Sequence, residues 1–211
     1  MCKRGIDIVG SIVGILLFSP LFISIPVMIK FTSKGPVLFK QKRVGKFGKR
    51  FAFLKFRSMH MNNDDAVHRQ YVKALIKSQK RANENEEDGK KKPVYKLTND
   101  PRVTPIGEIL RKTSMDELPQ FFNVLFGEMS LVGPRPPISY ELEDYDYWHR
   151  MRILEIKPGI TGPWQVGGRS STTFDEMVRL DLQYINGWSL WLDIKILLKT
   201  PWVVITGKGG H

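Results

Sequence analysis

The chain has 211 residues, which suits one domain of ordinary size with a buried core, and its net charge is +12. Its single cysteine, Cys2, excludes an intrachain disulfide and agrees with a reducing compartment. Residues 1–60 contain twelve Lys or Arg and one acid, Asp7. Because this basic region adjoins an apolar segment and the chain has no nucleic-acid-binding motif, its charge favours anionic lipid over DNA or RNA as a partner.

The apolar segment runs from Ile8 to Ile29 and is uncharged, and its 22 residues would measure about 33 Å as one helix. A single membrane span is therefore one interpretation. However, Ser19 and Pro20 lie at its middle, where a proline removes a backbone hydrogen bond and kinks a helix. Positive charge flanks both ends, which favours two cytoplasmic ends and a helix that re-enters on the same face. The length of the segment and the basic residues after it are not typical of a signal peptide.

The next predicted element is a β-hairpin. Two apolar runs, at 37–39 and 51–56, flank a basic turn at 45–49. After the hairpin, residues 64–82 have a helical pattern, and residues 83–93 are a charged segment typical of a solvated loop. No chemistry is assigned to that loop.

A short helix is predicted to begin at Thr104 and Pro105. Thr104 suits the N-cap, and proline is favoured at the first helical position because its missing N–H would have no partner there. The helix should deliver Arg111 close to the acidic pair that follows, Asp116 and Glu117. This arrangement would place a cation beside two anions.

Asp116 and Glu117 lie at the start of a second predicted helix. Ser114 suits the N-cap, with Glu117 three residues later, so a purely structural capping box is one interpretation. That interpretation gives Asp116 no role. Neighbouring helical residues point about 100° apart, so the pair suits one nucleophile and one metal ligand better than two groups facing a glycosidic bond. One apolar helix face follows the pair, made of Leu118, Phe121, Phe122 and Leu125.

The segments around this pair resemble a known protein family. The run Asp-Glu-Leu-Pro-Gln at 116–120 and the runs at 123–125, 129–136 and 157–162 are similar to the motifs of the bacterial sugar transferases, the monotopic phosphoglycosyl transferases. The resemblance extends from about Lys3 to Gly210 and is weakest across 80–93.

The resemblance implies a mixed α/β (α+β) fold in a monotopic membrane protein. Residues 1–35 would form a re-entrant membrane helix bent at Ser19 and Pro20, integral with a cytoplasmic catalytic domain at 36–211. A small β-hairpin and amphipathic interfacial helices would complete the fold. The expected location is the cytoplasmic face of a bacterial inner membrane.

The resemblance also implies a reaction. Asp116 would attack the β-phosphate of a UDP-sugar, releasing UMP, and polyprenyl (undecaprenyl) phosphate would then accept the phosphosugar. Mg²⁺, bound partly by Glu117, would neutralise the diphosphate. This would be the first membrane step of assembling a glycan such as an exopolysaccharide.

Five basic residues become candidates for substrate binding through the same resemblance. Lys55 and Arg57 match a family motif near the active site, although a surface salt bridge explains them equally well from sequence alone. Arg111 precedes the acidic pair. Arg135 lies between prolines, which limit the freedom lost when its guanidinium binds a phosphate, and Arg169 lies in a glycine-rich loop.

The last predicted element is an amphipathic helix at 188–199, with Trp188, Trp191 and the later Trp202. It could pack on the core, as most such helices do, or lie in the membrane interface. The sequence at 191–195 and 207–209 looks more like the hexose-phosphate branch of the family, which suggests glucose or galactose. The four histidines show no metal-ligand spacing.

Two other classes of protein stay open at this point. One is a non-catalytic membrane scaffold that binds a sugar nucleotide, against which the intact Asp116-Glu117 pair argues. The other is a single-span protein with an unrelated soluble domain and an external N-terminus. The sequence leaves the oligomeric state open, including a homodimer.

Overall fold

The structure, a computed structural model, describes five parts of the chain, residues 2–61, 73, 102–153, 155–167 and 173–206. Most of the predicted helix at 64–82 and all of the predicted loop at 83–93 lie outside the described residues, as do Arg169 and residues 207–209.

Two consecutive helices, α1 (Cys2–Leu17) and α2 (Ser19–Thr32), form the N-terminal part. Their axes are bent by 59° at the break, so the predicted bend at Ser19 and Pro20 is confirmed. Pro20 lies in the first turn of α2, where its missing N–H costs no helical hydrogen bond. Neither helix alone is long and apolar enough to cross a bilayer, whereas the bent pair together reaches that length and composition.

The predicted hairpin is confirmed by strands β1 (Leu38–Val44) and β2 (Arg50–Phe56), which pair antiparallel. A 3₁₀ turn at Lys46–Gly48 joins them. Within that turn Phe47 and Gly48 have φ angles of 60° and 72°, which reverse the chain tightly.

The next helix, α3 (Pro105–Lys112), begins as predicted. The Thr104 hydroxyl accepts a hydrogen bond from the Gly107 N–H at 3.0 Å. Gly107 lies so close to the Ser58 carbonyl that a Cβ would overlap it, and the Thr104 N–H donates to that carbonyl at 3.0 Å. The start of α3 is therefore fixed to the segment just after β2.

The capping box predicted at Ser114 and Glu117 is wrong. Ser114 has a left-handed backbone with a φ of 57°, and its side chain makes no capping hydrogen bond. A 3₁₀ turn at Met115–Glu117 follows, and the helix α4 (Gln120–Phe126) begins only after Pro119. The left-handed turn redirects the chain, and the acidic pair lies before the helix rather than in its first turn.

The remaining elements form a second small sheet and a group of helices. β3 (Ser130–Val132) and β4 (Gly159–Thr161) pair in parallel, and a Cβ at Gly159 would overlap the backbone nitrogen of Gly133. The other elements are 3₁₀ turns at Ser139–Glu143 and Met151–Ile153 and the helices α5 (Tyr147–Arg150), α6 (Pro163–Gly167), α7 (Phe174–Asn186) and α8 (Leu190–Thr206).

Three buried clusters pack these elements together. The largest joins the hairpin, α4, β3, α7 and α8, and the second joins α6 and α7 to the segment before α5. The third packs Ile25 and Ile29 of α2 against Phe56 of β2 and against Ile106 and Leu110 of α3. The bent helix pair is thus packed against the rest of the described chain.

The amphipathic C-terminal helix is longer than predicted. α8 continues through Pro201 to Thr206, buries Asp193 and Ile196, and exposes Trp191 and Trp202. One face therefore packs on the core, as one interpretation expected. The other face exposes large apolar side chains, which would contact lipid if the helix lay in a membrane interface, the other interpretation.

Candidate active site

A compact cluster of charges surrounds the acidic pair. The Lys55 ammonium on β2 lies 2.6 Å from Glu117 Oε1 and 3.2 Å from Asp116 Oδ2. Asp116 is only 6% exposed, whereas Glu117 is half-buried. One cation is therefore shared by two adjacent carboxylates at the edge of the protein interior.

Burial raises the pKa of Asp116 above that of an ordinary aspartate, because desolvation disfavours the charged form. The Lys55 ammonium opposes this effect and the neighbouring Glu117 carboxylate adds to it. Arg111 also lowers the pKa of Asp116 through its charge, so the last turn of α3 does bring this arginine near the pair. Two cations thus favour the ionised form of a carboxyl that burial would protonate.

The local folds of three elements position this cluster. α3 ends at Lys112, and the left-handed Ser114 turns the chain so that the 3₁₀ turn carries Asp116 back towards β2. Lys55 extends from β2 towards the pair, with its ammonium also 5.6 Å from the centre of the Phe53 ring. Of the predicted site residues, the structure therefore brings together Asp116, Glu117, Lys55 and Arg111.

Arg57 lies elsewhere, at the end of α2. Its guanidinium is buried and donates to the Lys34 carbonyl at 2.7 Å and to the Ser33 carbonyl and hydroxyl at 2.8 and 2.7 Å. These contacts join the end of β2 to the backbone carbonyls that follow α2. They describe a structural role, and the predicted role in substrate binding stays a prediction.

Arg135 lies in the proline-rich loop after β3. Its guanidinium is 5.8 Å from the centre of the Trp164 ring, and its carbonyl accepts a hydrogen bond from Arg152 at 2.9 Å. The loop is held to the hairpin by the Val44 N–H, which donates to the Pro137 carbonyl at 3.0 Å. Within the described residues the buried Arg135 Nε has no hydrogen-bond partner, which leaves one donor available to a ligand.

Gln120 was not predicted as a site residue. It begins α4, four residues after Asp116, and is 1% exposed, yet its Nε2 has no hydrogen-bond partner in the part of the chain that the structure describes. An unpaired buried donor is costly unless a ligand or water satisfies it. The signal in the sequence was its place at the end of the Asp-Glu-Leu-Pro-Gln run at 116–120.

The carboxylates of the acidic pair could bind Mg²⁺ together with a substrate. Carboxylate oxygens are the hard ligands that Mg²⁺ prefers, and one or two of them commonly share the ion with substrate phosphates. Across the described ranges no group of three His, Cys, Asp or Glu side chains could hold a metal ion by itself. Asp116 and Glu117 therefore suit a Mg²⁺ ion whose other ligands include the oxygens of a bound diphosphate.

His149 belongs to another part of the molecule. It is buried, its Nδ1 accepts from the Asp146 N–H at 3.0 Å, and its Nε2 lies 3.2 Å from Asp175 Oδ1. These contacts join α5 to the start of α7.

Comparison with known proteins identifies the family of this chain. The family model for bacterial sugar transferases matches residues 1–207. The chain is 47% identical over 215 residues to a galactosyl transferase, CpsE, of Streptococcus agalactiae, with 99% of this chain and 43% of that protein covered. It is 45% identical over 214 residues to an undecaprenyl-phosphate galactose phosphotransferase of Salmonella typhimurium, with 99% and 41% covered.

A third relative is closer in length. The chain is 40% identical over 211 residues to the exopolysaccharide production protein ExoY of Rhizobium meliloti, and the match covers 100% of this chain and 88% of that protein. The chain thus spans less than half the length of the first two relatives and most of the third.

Proposed function

We propose that this chain, which belongs to the bacterial sugar transferase family, transfers a sugar-1-phosphate from a UDP-sugar to undecaprenyl phosphate. The match over nearly the whole chain and the printed names of the relatives support this reaction. The single observation that carries it is the buried Asp116, held beside Glu117 by the Lys55 ammonium. This cluster offers a nucleophile and the charges that a diphosphate requires.

In the proposed first step, an Asp116 carboxylate oxygen attacks the β-phosphorus of the UDP-sugar. A new O–P bond forms while the bond from that phosphorus to the bridging oxygen breaks, and its electron pair leaves on the α-phosphate of UMP. In the second step, a phosphate oxygen of undecaprenyl phosphate attacks the same phosphorus. The Asp116 carboxylate is released, and the product is undecaprenyl-diphosphate-sugar. One diphosphate replaces another, so no ATP is consumed.

The neighbouring side chains would serve the changing charge. Lys55 and Arg111 favour the ionised form of Asp116 before the attack, and Lys55 can move to the phosphoryl oxygens once the carboxylate becomes an acyl phosphate. Arg135 is proposed to contact phosphate, as is Arg169, which lies outside the described residues. Mg²⁺, held in part by Glu117, would supply charge neutralisation of the diphosphate.

The membrane arrangement is part of the proposal. The bent pair α1 and α2 would enter the cytoplasmic face of the inner membrane and return to it, with Ser19 and Pro20 at the deepest point. The exposed Lys30, Lys34 and Lys40 would contact anionic lipid, whereas Lys3 and Arg4 contact the protein itself. Such an anchor explains how a domain of this size reaches an acceptor whose phosphate lies at the bilayer surface.

The sugar is proposed to be a hexose, with galactose first. Two of the relatives are named for galactose transfer, and they are 47% and 45% identical to this chain. Glucose is the second candidate, and a panel of UDP-sugars would separate the two.

The first prediction tests the nucleophile. Purified full chain should be incubated with UDP-galactose labelled in its β-phosphate, without the lipid acceptor. We expect label on the protein in proportion to released UMP, its removal by hydroxylamine as for an acyl phosphate, and no label on Asp116→Asn, whose turnover should fall by about a thousandfold or more. UDP-glucose should be run in parallel.

The matched control is Glu108→Gln, which removes an exposed carboxylate whose ion-pair partner in the described part of the chain is Lys112, at 2.8 Å on the surface of α3. This control should keep full labelling and turnover. Substantial turnover in a folded Asp116→Asn would exclude the covalent route. Binding of UDP-sugars by the wild-type chain without any turnover would favour the non-catalytic scaffold.

A further inference from the structure

We propose that Asn123 is a positioning residue that sets the distance between Lys55 and the acidic pair. The proposal rests on the proposed function, because Lys55 matters only if Asp116 reacts. Asn123 lies on α4, not in the charged cluster, and would act entirely through the strand that carries Lys55.

The first step is the pattern of hydrogen bonds that Asn123 makes. Its carboxamide is 1% exposed, its Oδ1 accepts from the Leu54 N–H at 3.1 Å, and its Nδ2 donates to the Ala52 carbonyl at 2.8 Å. The same Nδ2 donates to Glu128 Oε2 at 2.6 Å. One buried side chain therefore satisfies a backbone donor and a backbone acceptor of the same strand.

The second step is where those two backbone groups lie. The described part of the first sheet has two strands, so β2 has one edge paired with β1 and one edge without a strand. Backbone groups two residues apart point to the same edge, and Ala52 and Leu54 are two apart. The Asn123 carboxamide thus pairs with β2 in the place of a third strand and fixes the strand's position along α4.

The third step connects this pairing to the charged cluster. Lys55 is the next residue after Leu54, and its ammonium lies 2.6 Å from Glu117 and 3.2 Å from Asp116. The turn that carries both acids leads directly into α4. Asn123 therefore joins the strand that bears the cation to the helix that follows the anions.

The residue type matters because the site needs an acceptor and a donor on one short, planar group. Alanine supplies neither. Aspartate would keep the acceptor for the Leu54 N–H but would lose the donor and place a second carboxylate beside Glu128. Either change should let β2 move relative to α4 and carry Lys55 away from Asp116.

A double-mutant cycle with Lys55→Met tests this inference. In the wild-type background, Asn123→Ala should lower kcat about tenfold or more with a small change in KM. In the Lys55→Met background, Asn123→Ala should change kcat less than about twofold, because the group through which it acts is already absent.

If Asn123→Ala lowers kcat by the same factor in both backgrounds, or acts mainly by raising KM, the inference is overturned. Melting temperature reports folding of each variant. If Asn123→Ala does not fold, Asn123→Asp enters the same cycle. Glu128→Gln, which changes only the third partner of Asn123, is the matched control and should keep wild-type kcat and KM. Activity of wild type and Asp116→Asn tests the proposed function separately.

Discussion

At the scale of single residues, the most consequential feature is that two carboxylates share the ammonium of Lys55. A nucleophilic aspartate must be ionised, yet burial raises the pKa of Asp116. Lys55 is therefore expected to have two roles. It favours the ionised Asp116 carboxylate before the attack, and it contacts the phosphoryl oxygens afterwards.

The second prediction concerns pH. Activity should be lost as pH falls through the raised pKa of Asp116, because the protonated acid cannot attack. Lys55→Met removes a charge that lowers this pKa, so the acid limb of kcat/KM should move to higher pH. Steady-state rates across pH 4.5–8 measure it. An acid limb that stays in place or moves to lower pH would exclude Lys55 as the controlling neighbour.

The third prediction separates metal binding from structure at Glu117. EDTA should silence the wild-type enzyme. Glu117→Gln should require about tenfold or more Mg²⁺ for half-maximal activity. Its melting temperature should change little, because Glu117 and Ser114 do not form a capping box. Titration of activity with Mg²⁺ tests this, with Glu108→Gln as the surface control. Native metal dependence in Glu117→Gln would remove the metal assignment.

At the scale of elements, locally encoded features were predictable and long-range ones were not. The hairpin, the cap at Thr104 and the bend at Pro20 depend on residues close together in sequence, and all three are confirmed. The cap at Ser114 was wrong because Ser114 has a left-handed backbone, which the spacing of residues does not reveal.

The active cluster shows the same limit. The identity of Asp116 and Glu117 could be read from the sequence, but their contact with Lys55 joins residues about 60 positions apart. The parallel pairing of β3 with β4 and the edge contact of Asn123 likewise depend on distant partners. Hydrophobic periodicity carries no information about such pairs.

The fourth prediction concerns the bend between α1 and α2. Pro20→Leu restores a helix-compatible residue and should allow a straight apolar helix long enough to span, so a mixed population should form in which some N-termini are exported. Cys2, which is exposed, reports this through an impermeant thiol reagent applied to intact cells. Labelling should be low in wild type and higher in Pro20→Leu. High labelling in wild type would show that the segment already spans.

At the scale of the whole molecule, the N-terminal helix is anchored to the rest of the chain by buried polar contacts. Lys3 lies 2.6 Å from Asp193, whose carboxylate also accepts from Tyr184 at 2.5 Å and from Trp188 at 3.1 Å. Asp7 accepts from the Ser130 hydroxyl at 2.8 Å and the Leu131 N–H at 2.9 Å. The helix α1 is therefore packed into one unit with β3, α7 and α8.

The fifth prediction follows from the Asp193 contacts. Asp193→Ala would remove one shared acceptor from three donors, one of them charged, and should reduce the free energy of unfolding by about 3 kcal/mol. Thermal unfolding in detergent measures the loss, with Glu108→Gln expected to be indistinguishable from wild type. An unchanged melting temperature in Asp193→Ala would show that these contacts do not hold α1.

The two partners in each of these contacts are synthesised at very different times. Lys3 leaves the ribosome 190 residues before its partner Asp193, an interval of roughly 10 to 40 s at ordinary elongation rates. The partners of Arg4 and Asp7 follow them by 120 residues or more. During synthesis of the first 120 or so residues after it, α1 has none of these polar contacts. In the proposed membrane arrangement, a nascent chain would therefore commit its first helix to the bilayer before the residues that anchor this helix have been synthesised.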